Sequence, residues 1–146
     1  MKLLIEKARR TLTVQDNGSV LLRCPIALGA NPVGVKNREG DGRTPEGHYF
    51  VCLKKHGKYG FSLGVSYPNE QDAMRNGASE ALLSCIRTRT AQGQRPPWGT
   101  FLGGEIYIHG GGTDRDWTQG CIALRDEDAE ALYQTVPTGA EIEITS

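Results

Sequence analysis

A histidine and a cysteine in the last third of the chain have the residue types and spacing best suited to covalent chemistry. His109 follows an apolar run and precedes three glycines at residues 110–112, and Cys121 comes directly after Gly120. A protonated imidazole beside a thiol lowers the thiol pKa and makes the sulfur nucleophilic at neutral pH. A glycine at 120 lets the backbone turn sharply and leaves N–H groups uncovered for a developing oxyanion. The pattern therefore predicts a nucleophile, Cys121, with His109 as its base, although a lone cysteine is more often a buried structural residue.

Other chemistries fit the same region poorly. A zinc hydrolase needs three protein ligands, and His109, Cys121 and a nearby aspartate lack metal-ligand spacing. The glycines at 110–112 are not followed by the Gly-Lys-Ser/Thr of a phosphate-binding loop. We therefore expect neither a metal nor an organic cofactor.

Several other residues are candidates for contacts with a substrate. Trp98 and Trp117 flank the region and can line a groove for a peptide or glycan as well as pack in a core. Arg43, Arg95 and Arg115 can each hold a carboxylate with two parallel hydrogen bonds, although arginine is also common on surfaces.

The remaining cysteines and histidines are expected to be structural. Cys24 and Cys52 fall in predicted strands and Cys85 in a helical stretch, so all three are interpreted as packing residues. Nothing in the spacing supports a disulfide between Cys24 and Cys52. His48 and His56 are interpreted as strand-face or solvated residues.

Composition limits the class of protein. The chain has 146 residues, a length typical of one domain, and its 17 Lys+Arg balance 17 Asp+Glu. This neutrality argues against a dedicated nucleic-acid binder. No apolar stretch is long enough to span a membrane, and residues 1–10 lack the apolar core of a secretory signal. The 19 glycines favour a loop-rich, mainly β protein over a helical bundle.

The elements that must position these side chains are predicted as follows. Residues 3–14 and 20–28 form a hairpin around the turn Asp16-Asn17-Gly18. Further strands cover residues 48–54, 61–66, 105–109 and 141–145, and short helices cover 70–74, 80–89 and 126–133. Residues 29–47 form a long loop, and residues 67–99 form an insertion or lid over a site. The whole chain is interpreted as a single domain, residues 1–146.

Three motifs in order give the sequence its resemblance to a known family. His109-Gly110 and, after a variable loop, Thr118-Gln119-Gly120-Cys121-Ile122 resemble the signature of the YkuD family, the L,D-transpeptidase catalytic domain. Upstream, residues 40–47 (GDGRTPEG) resemble the family's Gly-Asp-x-x-Thr-Pro-x-Gly stretch. The resemblance extends from about residue 3 to residue 144. It implies a mainly β sandwich of mixed sheets with a few short helices and the cysteine and histidine at one rim.

The resemblance also implies a reaction. The cysteine attacks the peptide bond between the L-centre of a diamino acid and the terminal D-residue of a peptidoglycan tetrapeptide stem, and an amine on a second stem resolves the acyl-enzyme. Cys121 would be the nucleophile and His109 the base, the N–H groups of Gly120 and Cys121 would form the oxyanion hole, and Thr118 would hydrogen-bond near the nucleophile. Carbapenem-type β-lactams would acylate Cys121. The expected location is the cell envelope.

Three positions depart from the commonest family pattern. Gln119, a further candidate for a substrate contact, stands where many members have a second histidine, and Ala123 stands where many have an arginine. Gly110 stands where some members have a serine, so only its carbonyl can orient His109. These changes bear on the substrate and on the balance of transfer against hydrolysis. Two alternatives therefore stay open. One is an L,D-carboxypeptidase or D-amino-acid exchange enzyme, including one delivered into another cell's envelope. The other is a non-catalytic peptidoglycan-binding module.

Overall fold

The computed structural model describes residues 1–58 and 60–146. The chain begins with three strands that pair in sequence order, β1 (Lys2–Glu6), β2 (Thr11–Asp16) and β3 (Ser19–Pro25). The hairpin turn at 17–18 is confirmed, with Asn17 and Gly18 both at positive φ. The prediction of one strand over residues 3–14 is wrong. A turn at residues 7–10 interrupts it, and in this turn the buried Lys7 ammonium group donates to the carbonyls of Gly34 and Thr44.

The other elements lie close to their predicted places. They are β4 (Gly47–Gly57), β5 (Gly60–Val65), α1 (Glu70–Arg75), α2 (Glu80–Ala91), β6 (Tyr107–His109), β7 (Ile122–Ala123), α3 (Asp126–Thr135) and β8 (Glu141–Thr145). Each predicted helix begins at the expected residue, and β8 matches its prediction. The two-residue strand β7 was not predicted.

The strands form one mixed sheet in the order β3-β2-β1-β8-β4-β5-β6-β7. The sheet curls into a half-barrel, which confirms the predicted mainly β class. Strand β4 contributes to the curl because its first residues pair with β8, its later residues pair with β5, and a bulge lies between Val51 and Leu53. At the far edge, Ala27 pairs with Ala123 beyond the named strands, so the chain that leaves β3 comes back to β7.

Alternating apolar residues of these strands fill the core. Leu3, Ile5, Ile142 and Ile144 are at most 2% exposed, and Leu132 of α3 is fully buried in the same cluster. Strict alternation in β8 explains its accurate prediction, since every second residue points into the core. This core holds the strand ends that carry the histidine and the cysteine.

Residues 67–99 form a helical excursion between β5 and β6. Ala73, Leu83, Ile86 and Leu102 give it a small core of its own. Asp72, which is buried at the start of α1, accepts a hydrogen bond from the Tyr49 hydroxyl at 2.7 Å and fastens the excursion to the sheet.

Cys24 packs in the main core, as predicted, whereas Cys52 and Cys85 are only partly buried. All four cysteines of the chain are free thiols. Burial raises the pKa of Cys24 to about 12 and that of Cys52 to about 11. Among the described residues, no helix is long and apolar enough to cross a bilayer.

Candidate active site

Adjacent parallel strands bring His109 and Cys121 together. Strand β6 pairs with β7 in the register Ile108 to Ile122, and both isoleucines are fully buried. Because successive side chains alternate across a sheet, His109 and Cys121 project to the other face. Cys121 lies opposite Tyr107, whose backbone N–H donates to the Cys121 sulfur at 3.3 Å. The histidine and cysteine are therefore diagonal neighbours on one face of the sheet rim.

Both side chains line one cavity of about 470 Å³. Its other lining residues come from β4, β5, β6, the residues just before β6 and the segment before Cys121: Lys55, Ser62, Glu105, Tyr107, Trp117, Thr118 and Gln119. Ser62 pairs with His109 across β5 and β6. The cavity is open to solvent, and Cys121 is partly exposed in it.

The His109 ring is held in a defined orientation. Its Nδ1 lies 2.5 Å from the carbonyl oxygen of Gly110, so Nδ1 carries the proton in the neutral ring and Nε2 is left as the acceptor. Trp117 packs edge-on against the ring, with centroids 5.8 Å apart, and its Nε1 donates to the Gly112 carbonyl. Burial lowers the pKa of His109 below its ordinary 6.5, although the contact with the Gly110 carbonyl opposes the shift.

The surroundings of the Cys121 thiol favour its neutral form. Burial raises its pKa above the ordinary 9.0, while the Tyr107 N–H and the charge of Lys36 oppose the rise. The thiol donates to the Glu105 carbonyl at 3.5 Å. The thiolate–imidazolium pair expected from sequence is therefore not the favoured resting form, because burial disfavours both charges. A neutral thiol beside a neutral imidazole suits base catalysis during the attack.

Thr118 hydrogen-bonds to the backbone on both sides of the Gly120–Cys121 peptide. Its buried hydroxyl donates to the Cys121 carbonyl at 2.7 Å and accepts from the Gly120 N–H at 3.1 Å. The Gly120 N–H is thus already engaged. The sequence predicted that the N–H groups of Gly120 and Cys121 would together form the oxyanion hole. Because the Gly120 N–H donates to Thr118, the Cys121 N–H is the remaining candidate donor.

The long loop over residues 29–47 packs backbone to backbone against the cysteine segment. A Cβ at Gly29 would lie 2.1 Å from the Gly42 oxygen and 3.2 Å from the Gly120 Cα. Gly120 itself has φ +138°, and a Cβ there would lie 2.7 Å from the Arg43 carbonyl oxygen. Thr44 completes the junction by accepting from the Gly29 N–H at 3.1 Å. The motif at residues 40–47 therefore packs against the backbone before Cys121 and supports its position.

The Asp126 side chain packs closely against the glycine loop at residues 110–112. The Asp126 carboxylate accepts from the Gly111 N–H at 2.9 Å, at the start of α3. A Cβ on Gly110 would lie 2.5 Å from that carboxylate. The glycine loop therefore packs closely on α3 and presents the Gly110 carbonyl to His109.

Some of the substrate-contact residues suggested by sequence lie outside this cavity. Trp117 and Gln119 line it. Trp98 does not line the cavity. It packs edge-on against Tyr107, and its Nε1 donates to the Tyr67 carbonyl. Arg115 is exposed and lines a shallow cavity beyond Trp117.

Arg43 lines a separate cavity, of about 730 Å³, together with Asn31, Asp41 and Phe101. Its Nε is buried and has no hydrogen-bond partner among the described residues. Its backbone carbonyl, not its guanidinium, approaches the cysteine segment. Arg43 remains a candidate for holding a substrate carboxylate, but it lines this second cavity and not the cavity of Cys121.

Sequence reasoning missed four residues of the cavity: Lys55, Ser62, Glu105 and Tyr107. Tyr107 carried a detectable signal, since it lies two residues before His109 and so shares its face of β6. Lys55 and Ser62 come from strands far away in the sequence, and their positions depend on sheet order. In the described part of the chain, no group of three histidine, cysteine or acidic residues has an arrangement that could hold a metal ion.

A cysteine and an oriented histidine at one rim of a curled β sheet fit a cysteine-dependent enzyme. The sequence matches the YkuD family, the L,D-transpeptidase catalytic domain, over residues 2–144, and the chain belongs to that family. The family comprises cysteine-dependent L,D-transpeptidases and carboxypeptidases that act on peptidoglycan stems. No curated protein sequence is significantly similar to this chain.

Solved structures share the fold. A mutant of the helical cell shape determining protein Pgp2 from Campylobacter jejuni is 26% identical, with a TM-score of 0.71, and the match covers 99% of this chain and 46% of that one. An L,D-transpeptidase from Mycobacterium smegmatis is 16% identical, with a TM-score of 0.59, over 99% and 58%. Mycobacterium tuberculosis L,D-transpeptidase 1 is 17% identical, with a TM-score of 0.58, over 99% and 60%. The chain thus spans about half the length of the Pgp2 chain.

Proposed function

We propose that this chain is an L,D-transpeptidase that forms an acyl-enzyme on Cys121 from peptidoglycan tetrapeptide stems and transfers it to an amine. The observation that carries the proposal is the common cavity of Cys121 and His109, with the imidazole oriented by the Gly110 carbonyl. Membership of the family supports the reaction class and the stem peptide as substrate. It also supports a cell-envelope location.

In the first half-reaction, His109 Nε2 takes the thiol proton while the Cys121 sulfur attacks the carbonyl carbon preceding the terminal D-residue. The carbonyl oxygen becomes an oxyanion, which accepts a hydrogen bond from the Cys121 N–H. The carbon–nitrogen bond then breaks, and the protonated His109 gives its proton to the leaving amine. The products are a thioester on Cys121 and a free D-amino acid.

In the second half-reaction, an amine of another stem attacks the thioester carbon. His109 accepts the amine proton, the carbon–sulfur bond breaks, and the thiolate takes the proton back. The result is a new amide, which cross-links two stems, and the regenerated neutral pair. The pKa directions of both groups favour this pair as the starting state.

The surrounding residues shape the cavity for a peptide. Trp117 and Gln119 line its outer wall, where they would contact the stem. We assign residues 67–99 as a cover on the opposite side, because Trp98 packs edge-on against Tyr107 at 5.5 Å.

The test is intact-protein mass spectrometry after incubation with a carbapenem, beside a Cys121→Ala control. A single adduct on the unmodified protein and none on the variant is the expected result. A stem tetrapeptide is then incubated with the enzyme, with and without a second stem as acceptor. Release of the D-residue with a cross-linked product supports the transpeptidase.

The other outcomes decide between the remaining functions. Release of the D-residue with only a tripeptide product assigns an L,D-carboxypeptidase instead. Incorporation of an added free D-amino acid assigns an exchange enzyme. Peptide binding with no adduct and no release contradicts the enzyme and favours a peptidoglycan-binding module.

A further inference from the structure

Two cations and two aromatic rings form a continuous wall beside the proposed active site. The Lys55 ammonium lies 4.3 Å from the Tyr107 ring centroid, Trp98 packs edge-on against Tyr107, and the Arg95 guanidinium lies 4.7 Å from the Trp98 ring centroid. We call these four residues the cation–aromatic ledge. Lys55 and Tyr107 line the cavity of Cys121, so the inner end of the ledge is part of that cavity.

The cations of the ledge are not neutralised within the described part of the chain. No carboxylate there lies within 4 Å of Lys55 or Arg95, although ten ion pairs between described residues meet that criterion. Glu105, the acidic residue of the cavity lining, forms no ion pair with Lys55. The aromatic faces instead hold the cations in place, because a ring quadrupole attracts a cation without cancelling its charge.

An unpaired ammonium beside the nucleophile favours an anionic substrate group near the reacting bond. The positive charge of Lys55 lowers the pKa of the Cys121 thiol and so opposes the effect of burial. A peptide whose terminal residue has a free carboxylate places that group two bonds from the scissile nitrogen. Arginine farther along the ledge suits a second carboxylate of the same peptide.

We propose that the ledge is the carboxylate-binding subsite for the donor peptide, with Lys55 holding the terminal carboxylate of the D-residue that leaves. This inference rests on the proposed function for the identity of the peptide. It assigns the selection of free-acid termini to a residue of β4, far in sequence from the cysteine motif. The leaving residue is then recognised before its bond is broken.

The test measures binding separately from catalysis. A stem tetrapeptide with a free C-terminal carboxylate and the same peptide with a C-terminal carboxamide are titrated by NMR into Cys121→Ala protein, which cannot turn them over. Further substitutions in that protein are Lys55→Met, Lys55→Arg, Arg95→Met and Lys54→Met. Lys54 is the matched control, because its ammonium also lies over a tyrosine ring, that of Tyr133, but outside the cavity.

We expect the free acid to bind about fivefold to tenfold more tightly than the carboxamide. Lys55→Met should abolish this preference, Lys55→Arg should restore it, and Lys54→Met should leave it unchanged. Arg95→Met should weaken both peptides alike. Equal binding of the two peptides to the Cys121→Ala protein, or a preference that survives Lys55→Met in a folded variant, overturns the proposal.

Turnover by the protein with Cys121 intact separates this inference from the proposed function. Acid-selective binding that depends on Lys55, without release of the D-residue, contradicts the transpeptidase and leaves the subsite standing. Equal release from the acid and the carboxamide peptides supports the reaction and overturns the subsite.

Discussion

The hydroxyl of Thr118 offers the most direct check on how the nucleophile is positioned. Thr118→Val keeps the shape of the side chain but removes the donor to the Cys121 carbonyl and the acceptor for the Gly120 N–H. The site is buried, with Thr118 5% exposed, so water cannot readily replace the lost partners. Two hydrogen bonds and two unpaired backbone groups together cost about 2–4 kcal/mol of unfolding free energy.

For a domain of this size, that loss lowers the melting temperature by about 5–15 °C. Displacement of the cysteine backbone should also slow carbapenem acylation about 10- to 100-fold at a temperature where both proteins are folded. Calorimetry gives the first quantity, and a time course of intact-protein mass gives the second.

Thr13→Val is the matched control for this substitution. Thr13 is equally buried, at 2% exposure, but its hydroxyl accepts only a long contact of 3.4 Å from Arg23, far from the cavity. We expect it to cost less than about 1 kcal/mol and to leave acylation unchanged. Thr118→Val values that equal those of Thr13→Val would refute the reasoning. A lowered melting temperature with normal acylation would limit Thr118 to stability.

Three further predictions concern the same strand ends. Because the pKa of His109 is lowered and that of Cys121 is raised, the neutral pair persists between them. The rate of carbapenem acylation should therefore stay constant from pH 9 to 6.5 and fall only below pH 6.5. Iodoacetamide alkylation of Cys121 needs the thiolate, so its rate should keep rising beyond pH 9. An alkylation rate that reaches its plateau at neutral pH would contradict this prediction. Gly110→Ala should cost about 1–3 kcal/mol in urea unfolding through its clash with Asp126, and less in an Asp126→Ala background; additive costs would exclude the clash. Cys24, whose pKa is raised to about 12 by burial, should resist alkylation at pH 8 until urea unfolds the protein, so labelling that precedes the loss of circular dichroism would contradict its place in the core.

Local signals explain what the sequence predicted well. The Asn-Gly turn after Asp16 requires positive φ at both central residues, and strict alternation over residues 141–145 leaves only one face to bury. The prediction that His109 acts together with Cys121 came from a sequence motif. The parallel register of β6 and β7 brings the two residues of this motif close together.

Nonlocal contacts explain what was missed. Strand β7 has two residues and exists because Ile122 and Ala123 fit between β6 and Ala27, which no local pattern records. Lys55 joins the cavity only because β4 and β6 flank β5 in the sheet. The prediction for Arg43 rests on its chemistry alone, and the residue lines a different cavity.

The position of β8 has a consequence for synthesis on the ribosome. The last of the eight strands to be made lies in the middle of the sheet, where it pairs with both β1 and β4. Until residues 141–145 leave the ribosomal tunnel, β1 and β4 each present an unpaired edge of the kind that promotes aggregation. Folding of this domain is therefore completed after translation of its last strand, in one nonlocal step that joins residues nearly the whole chain apart.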